Sequence, residues 1–156
     1  MPHSFDLDAF LPYRLNRAAE FVSKRFAAGY KARYDMSRPE WRVLALLGAR
    51  WRMTATEIGR HSGMHKTKVS RAVFSLEGRG WLTRSADAQD RRVEHLTLTP
   101  EGRAAFGGLV ALAREAEAEL GRAVGRHGLC ALGEGLAALE AEMTRAAPAE
   151  VQPALS

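Results

Sequence analysis

The sequence predicts a mainly α-helical fold, a winged helix-turn-helix set between long terminal helices. Three observations predict it. Residues 54–78 hold two short helical stretches joined by a tight turn containing glycine, the sequence shape of a helix-turn-helix. Residues 81–99 hold two strand-like runs around a polar, basic tip, a β-hairpin of the kind called a wing when it follows such a pair. Both ends of the chain carry apolar residues three and four apart, the spacing of one helical face.

The first long helix begins near Asp8 to Pro12, where proline sacrifices no hydrogen bond because first-turn N–H groups lack helical partners. It runs to about Arg33, with Leu15, Ala18, Ala19, Val22, Phe26 and Tyr30 as its apolar stripe. A second helix opens at Ser37-Arg-Pro-Glu40, a capping box in which hydroxyl and carboxylate satisfy each other's backbone N–H groups. Trp41, Leu44 and Leu47 face inward, and Gly48 to Met53 closes it. Thr54-Ala-Thr-Glu57 is another capping box; Ile58 follows, and Ser62-Gly63 stops that helix. The next helix runs from about Lys66 to Gly78. Val69, Ala72, Val73 and Leu76 form its apolar stripe, and Lys66, Thr67, Lys68, Ser70 and Arg71 stand opposite, all able to donate hydrogen bonds.

Trp81-Leu-Thr-Arg84 and His95-Leu-Thr-Leu-Thr99 are the two strands, and the segment from Ser85 to Arg92 is too polar for any core. Thr99-Pro-Glu101 starts a long helix: a threonine cap, proline in the first position and an acid at the positive end of the dipole. Phe106, Leu109, Ala113, Ala116, Leu120 and Val124 form its stripe, and Gly125 to Gly128 breaks it. A last helix carries Leu129, Leu132, Leu136, Leu139 and Met143, spaced three, four, three and four apart, a heptad-like seam. Two readings of the seam stand, packing within one chain or against a second copy. The tail from Pro148 to Ser156 reads as disordered. No internal repeat or second-domain boundary is visible, so residues 1–156 read as a single domain.

A chain of 156 residues, 46% hydrophobic and 26% charged, has the composition of one soluble domain with its own core. The net charge of +5 favours an anionic partner. The excess is local: Arg60, Lys66, Lys68, Arg71, Arg79, Arg84, Arg91 and Arg92 face only Glu77, Asp87 and Asp90 between residues 60 and 92. The balance reverses from Glu115 onward, a polarity that fits a molecule with a nucleic-acid end and a different other end. The first residues lack the basic-then-apolar pattern of a secretory signal, and no apolar run is long enough for a membrane span. A single cysteine, Cys130, excludes an internal disulfide and suits a reducing, cytoplasmic compartment.

Gly63-Met-His-Lys-Thr-Lys-Val-Ser-Arg-Ala-Val73, Leu76-Glu-Gly-Arg-Gly80, Asp90-x-Arg92 and Leu98-Thr-Pro-Glu-Gly102 together resemble the MarR family of bacterial transcription regulators. The resemblance covers about Leu11 to Met143. It implies a sequence-specific DNA-binding regulator, a ligand-released repressor on a pseudo-palindromic operator of double-stranded DNA. It also implies a homodimer in which residues 8–34 and 100–146 form the dimerisation region and 36–99 the winged DNA-binding part. The DNA-binding residues it implies are His65, Lys66, Thr67, Lys68, Ser70, Arg71, Arg84, Asp90, Arg91 and Arg92, with Arg92 as the wing-tip arginine of the minor groove. Asp90 would hold that arginine, because phosphates repel a carboxylate, and Arg84 would contact phosphate or pair with Asp90. An exposed basic helix face is in general often only a solvated one; its place at the start of a second helix, with the wing beside it, favours DNA. His65 departs from the acidic residue usual there in the family. It is a poorer cap than aspartate and is equally read as a contact to phosphate or base.

Family pockets lie between the dimer helices and the winged part, where this chain offers Tyr13, Arg14, Arg17, Trp41 and Arg42. An aromatic wall with guanidiniums suits an aromatic acid or its coenzyme A thioester. Leu11-Pro-Tyr-Arg-Leu-Asn16 and Ser37-Arg-Pro-Glu-Trp-Arg42 also resemble members that govern aromatic-acid degradation. The competing reading makes Trp41 plain core and the arginines a solvated surface. Other classes have less support. Histidines are scattered without metal-binding spacing, and neither a phosphate-binding glycine loop nor a nucleophile elbow is present, so no enzyme, cofactor or metal site is expected. Redox or metal sensing, or an RNA- or protein-binding winged helix, are the alternatives. Cys130, in an apolar stretch, reads as a small buried residue.

Overall fold

The computed structural model describes residues 5–146, so the tail from Pro148 lies outside the described residues. Five helices and a small antiparallel sheet follow in the order α1 (Leu11–Tyr34), α2 (Arg38–Arg50), β1 (Arg52–Thr54), α3 (Ala55–Ser62), α4 (Lys66–Gly78), β2 (Leu82–Ala86), β3 (Glu94–Leu98) and α5 (Pro100–Ala146). Both capping boxes form. Ser37 N donates to the Glu40 carboxylate at 2.6 Å, and Thr54 N to that of Glu57 at 2.7 Å; each hydroxyl accepts the return bond from the glutamate's backbone N–H. These reciprocal bonds satisfy donors that a bare helix start leaves orphaned.

β1 was not expected. Its three residues follow α2 after the single residue Trp51 and add a third strand, giving the order β1-β3-β2. Met53 faces Leu96, and Leu82 faces Leu98 across the other ladder. Met53, Leu82, Leu96 and Leu98 are buried, so the sheet turns one apolar face onto α2 and α4. The core collects Val43, Leu44 and Leu47 of α2, Ile58 of α3, and Val69, Ala72, Val73 and Leu76 of α4. Full burial of each valine, leucine or isoleucine among them stabilises the fold by about 1.5–3 kcal/mol. The start of α5 closes this unit. Gly102 lies so close to the Trp81 carbonyl that a Cβ would overlap its oxygen, while Thr99 Oγ1 donates to Gly80 O at 2.7 Å. Proximity of two backbones is why glycine stands at that step of the Leu-Thr-Pro-Glu-Gly pattern.

The stripe expected to bury α1 does so only near its C-terminal end. Tyr30 is buried and Phe26 half-buried, whereas Ala18, Ala19, Leu15 and Val22 are exposed, the last two at 40%. Contacts divide the chain into two compact units, one ending at Arg114 and the other beginning at Glu115. Within the second, the backbone leaves the helical region at Gly125 (φ 75°, ψ 164°), so the expected break occurs there. That conformation is open essentially to glycine alone. Of the expected seam, Leu132, Leu136, Leu139 and Met143 are exposed and Leu129 is half-buried. Cys130, expected to be buried, is exposed as well. An apolar stretch does not bury a residue unless something covers it.

Candidate nucleic-acid interface

α4 is built to present one face. Val69, Ala72, Val73 and Leu76 fix it to the core, and Lys66, Thr67, Lys68, Ser70 and Arg71 are all exposed. At about 100° per residue, Thr67, Ser70 and Arg71 fall within one arc opposite the buried stripe, with Lys66 and Lys68 on its two flanks. The helix entrance is capped by His65, whose Nδ1 accepts from Thr67 N at 3.3 Å. The ring takes over the acceptor role an aspartate would have.

A polar knot holds the other end of α4. Glu40, only 7% exposed, accepts from the Ser75 hydroxyl of α4 while also serving the cap of α2. Arg79 reaches Glu40 at 3.5 Å and donates to Tyr34 O and Asp35 O at 2.7 Å each. Its guanidinium also lies 5.2 Å from the Trp81 ring centre. Burial pushes the Glu40 carboxyl up, but the bonds from Ser37 and Ser75 and the nearby Arg79 outweigh it, leaving the pKa below its ordinary value. α1, α2 and α4 are thereby tied at one point.

The wing has its own framework. Asp87 Oδ1 accepts from Gln89 N and Asp90 N, and its Oδ2 lies 2.9 Å from His95 Nε2 on β3 and 3.9 Å from Arg52 on β1. The Gln89 amide, then His95 and the Asp90 amide, lower the Asp87 pKa to about 2. Asp90 accepts from Arg92 N at 3.0 Å, so it shapes the backbone that carries Arg92 rather than gripping the guanidinium. Arg91 and Arg92 are exposed. With Arg60 they border an open groove of about 570 Å³ against the start of α3. Arg84 does not pair with Asp90: it bonds Glu77 of α4 at 3.0 Å and Glu94 of β3 at 3.2 Å, bracing the wing against the helix. Its partial burial lowers its pKa, and the two carboxylates raise it by more.

The expected ligand residues do not form one cluster in the chain. Trp41 packs on Phe26 and Tyr30, with ring centres 4.9 and 5.9 Å away. Tyr13 and Arg17 meet each other three turns earlier on α1, Arg17 also bonding Asp8 at 3.4 Å, and Arg14 is exposed. Arg42 is half-buried near Tyr30, whose pKa burial raises against the pull of Arg38 and Arg42. Beside Tyr30 opens a cavity of about 300 Å³ lined also by Lys31, Met36, Ser37 and Arg38. The bonds that Arg38, Glu40, Arg79, Asp87 and His95 make between elements leave no local signal, whereas the Glu40 cap and the turn at Asp87 are local.

Residues 36–93 match the model of the MarR family. The MarR family transcriptional regulator SPO1453 from Silicibacter pomeroyi DSS-3 is 36% identical, with 76% of this chain and 83% of that chain covered and a TM-score of 0.67. The transcriptional repressor CouR, solved bound to a 23-mer DNA duplex, is 31% identical over 87% of this chain and 96% of its own, with a TM-score of 0.78. NadR in complex with 4-hydroxyphenylacetate, 21% identical over 84% and 92% of the two chains, shares the fold at a TM-score of 0.70. No curated protein is recognisably similar. The winged helix-turn-helix, its basic outward face and the two relatives above 30% identity together place this chain in the MarR family of transcription regulators.

Proposed function

We propose that the protein is a ligand-released repressor that grips a pseudo-palindromic DNA operator as a homodimer. The observation that carries the reading is the outward face of α4, where five exposed donors stand opposite four buried apolar residues beside an exposed Arg91-Arg92 wing tip. α4 enters the major groove, Thr67, Ser70 and Arg71 meet base edges, and Lys66 and Lys68 take phosphates on either side. His65 meets the backbone at the entrance, Arg84 braces the wing, and Asp90 sets the loop from which Arg92 enters the minor groove. The relative CouR, solved bound to a DNA duplex, supports duplex DNA as the partner.

The dimer accounts for the uncovered apolar residues of α1 and of the end of α5. Leu11, Phe21, Leu136, Leu139 and Met143 are 40–72% exposed in one chain, and a second copy would remove them from water. For release we favour an anionic aromatic effector, an aromatic acid or its coenzyme A thioester. Tyr30, Lys31 and Arg38, which line the 300 Å³ cavity, with Trp41 stacked on Tyr30 behind them, suit such a molecule better than Tyr13, Arg14 and Arg17, which lie elsewhere on α1. NadR, a relative by fold, holds an aromatic acid of this kind. An effector acts only through its differential affinity for two conformations; a coupling of about 1–3 kcal/mol loosens DNA roughly 5–150-fold.

The test selects duplexes from a random pool, then titrates the best by fluorescence anisotropy at several salt concentrations, with RNA as competitor. Affinity should fall steeply with salt. Equal affinity for RNA, or selection of no duplex, ends the DNA reading. Calorimetry with aromatic acids and thioesters, with and without operator, tests release: by reciprocity an inducer binds more weakly when operator is present.

A further inference from the structure

Phe74 lies in the middle of α4 and is 73% exposed. Among the described residues from Ala55 to Leu98 it is the one large hydrophobic side chain left open to solvent. The proposed dimer covers the apolar residues of the terminal helices, and Trp51 lies under the Arg103 guanidinium at 3.9 Å; neither accounts for Phe74. Its position on the helix is specific. Phe74 follows Thr67 by seven residues, about two turns, so the two side chains stand nearly in line, within about 20°. Arg71 and Ser70 flank that line, and Leu76 and Ala72 point the opposite way into the core. The phenyl ring therefore shares the arc of the base-facing donors, framed by Lys66 and Lys68.

The surroundings identify the occupant. A face ringed by exposed cations fits a polyanion better than an apolar protein groove. On the floor of the major groove the apolar group is the C5-methyl of thymine, and phenylalanine is among the side chains that meet it. We infer that Phe74 is a specificity-determining residue that packs on a thymine methyl in each half-site. Seven residues of helix rise span about 10 Å, so that thymine lies about three base pairs from the base met by Thr67, toward the rim of the groove. The inference rests on the DNA reading above and adds to it a base preference that hydrogen-bond donors alone do not create.

The experiment uses the full chain and the duplex that it selects from a random pool. Each thymine is replaced in turn by deoxyuridine, which keeps every hydrogen-bonding group and removes only the methyl. For the wild type, one position in each half-site should weaken binding by about fourfold, the worth of one buried methyl-sized group. Other positions should change less. Phe74→Ala, which removes the ring from both subunits, should lose about the square of that factor, roughly sixteenfold, on the thymine duplex and be indifferent to deoxyuridine at that position, with an unchanged melting curve because the side chain is exposed. Phe74→Leu should retain part of the preference. Phe74→Ala that weakens thymine and deoxyuridine duplexes equally places the ring on the sugar-phosphate backbone and overturns the inference. Unchanged affinity takes Phe74 off the DNA and overturns it too. In both cases a selected operator leaves the DNA reading standing; selection of no duplex overturns both.

Discussion

Replacing Arg79 by methionine tests whether the polar knot behind α4 holds the reading helix in place. Methionine keeps the apolar stem beside Trp81 and removes the guanidinium. Two bonds of 2.7 Å, to Tyr34 O and Asp35 O, disappear, and Glu40 loses its cation at 3.5 Å. Hydrogen bonds to charged groups contribute about 1.5–3 kcal/mol each. The Arg79 side chain is 29% exposed, so water can replace part of what is lost, and the lower end applies. We expect a total loss of about 3 kcal/mol, large beside the 5–15 kcal/mol of a typical domain. Urea unfolding at fixed protein concentration, followed by circular dichroism, measures it. The pH dependence is a second signature. A carboxyl with a depressed native pKa stabilises the fold in full above its ordinary value of 4.5, and that stability is lost as pH falls through the native value. Arg79→Met removes one cause of the depression, so the gap between wild type and variant should shrink as pH falls from neutrality into the carboxylate range. A difference under about 0.5 kcal/mol at neutral pH, the size of an ordinary surface change, or a gap that ignores pH, refutes the reasoning.

Gly102→Ala should destabilise by about 1–3 kcal/mol in the same assay, because α5 must retreat from the Trp81 carbonyl; an unchanged midpoint shows that the approach is slack. Leu139→Lys should yield a monomer or an insoluble protein by light scattering, and a well-folded monomer of the unmutated chain at micromolar concentration removes the dimer. Asp87→Asn should speed amide exchange across the wing near neutral pH, where the wild-type carboxylate is charged. Its contribution is present above the ordinary value of 3.8 and is lost as pH falls toward about 2, so the difference between the two proteins should vanish there. Arg92→Ala should weaken binding most on operators with A·T-rich flanks, where a narrow minor groove attracts a guanidinium; equal affinity on every operator takes the wing out of recognition.

Local chemistry was legible in the sequence and tertiary pairing was not. Thr54 with Glu57 and Ser37 with Glu40 announce their helices because a capping box needs only four consecutive residues. The apolar stripe of α4 fixed its buried side for the same reason. β1 escaped because three residues are too few to show alternation; it exists through its pairing with β3, far along the chain. The stripe of α1 was real, but periodicity marks an apolar face without naming what covers it, which is why Leu15 and Val22 are exposed. The same holds for Cys130. Glu40 shows the limit most plainly: its capping role is local, whereas its bond to Ser75 and its ion pair with Arg79 depend on how α2 and α4 cross. Arg84 likewise chose Glu77 and Glu94 over Asp90 because those carboxylates flank the strand that carries it.

The histidine at the entrance of α4 selects a tautomer. While Nδ1 accepts the Thr67 amide, it carries no proton, so the hydrogen of the neutral ring resides on Nε2. An aspartate cap would bring a full negative charge to this point. His65 instead offers a solvent-exposed ring N–H and no negative charge. A polyanion approaching the helix start therefore meets no like charge there, and the same ring that closes the helix can extend a hydrogen bond outward to it. Imidazole nitrogen chemical shifts should report this single tautomer in the free protein.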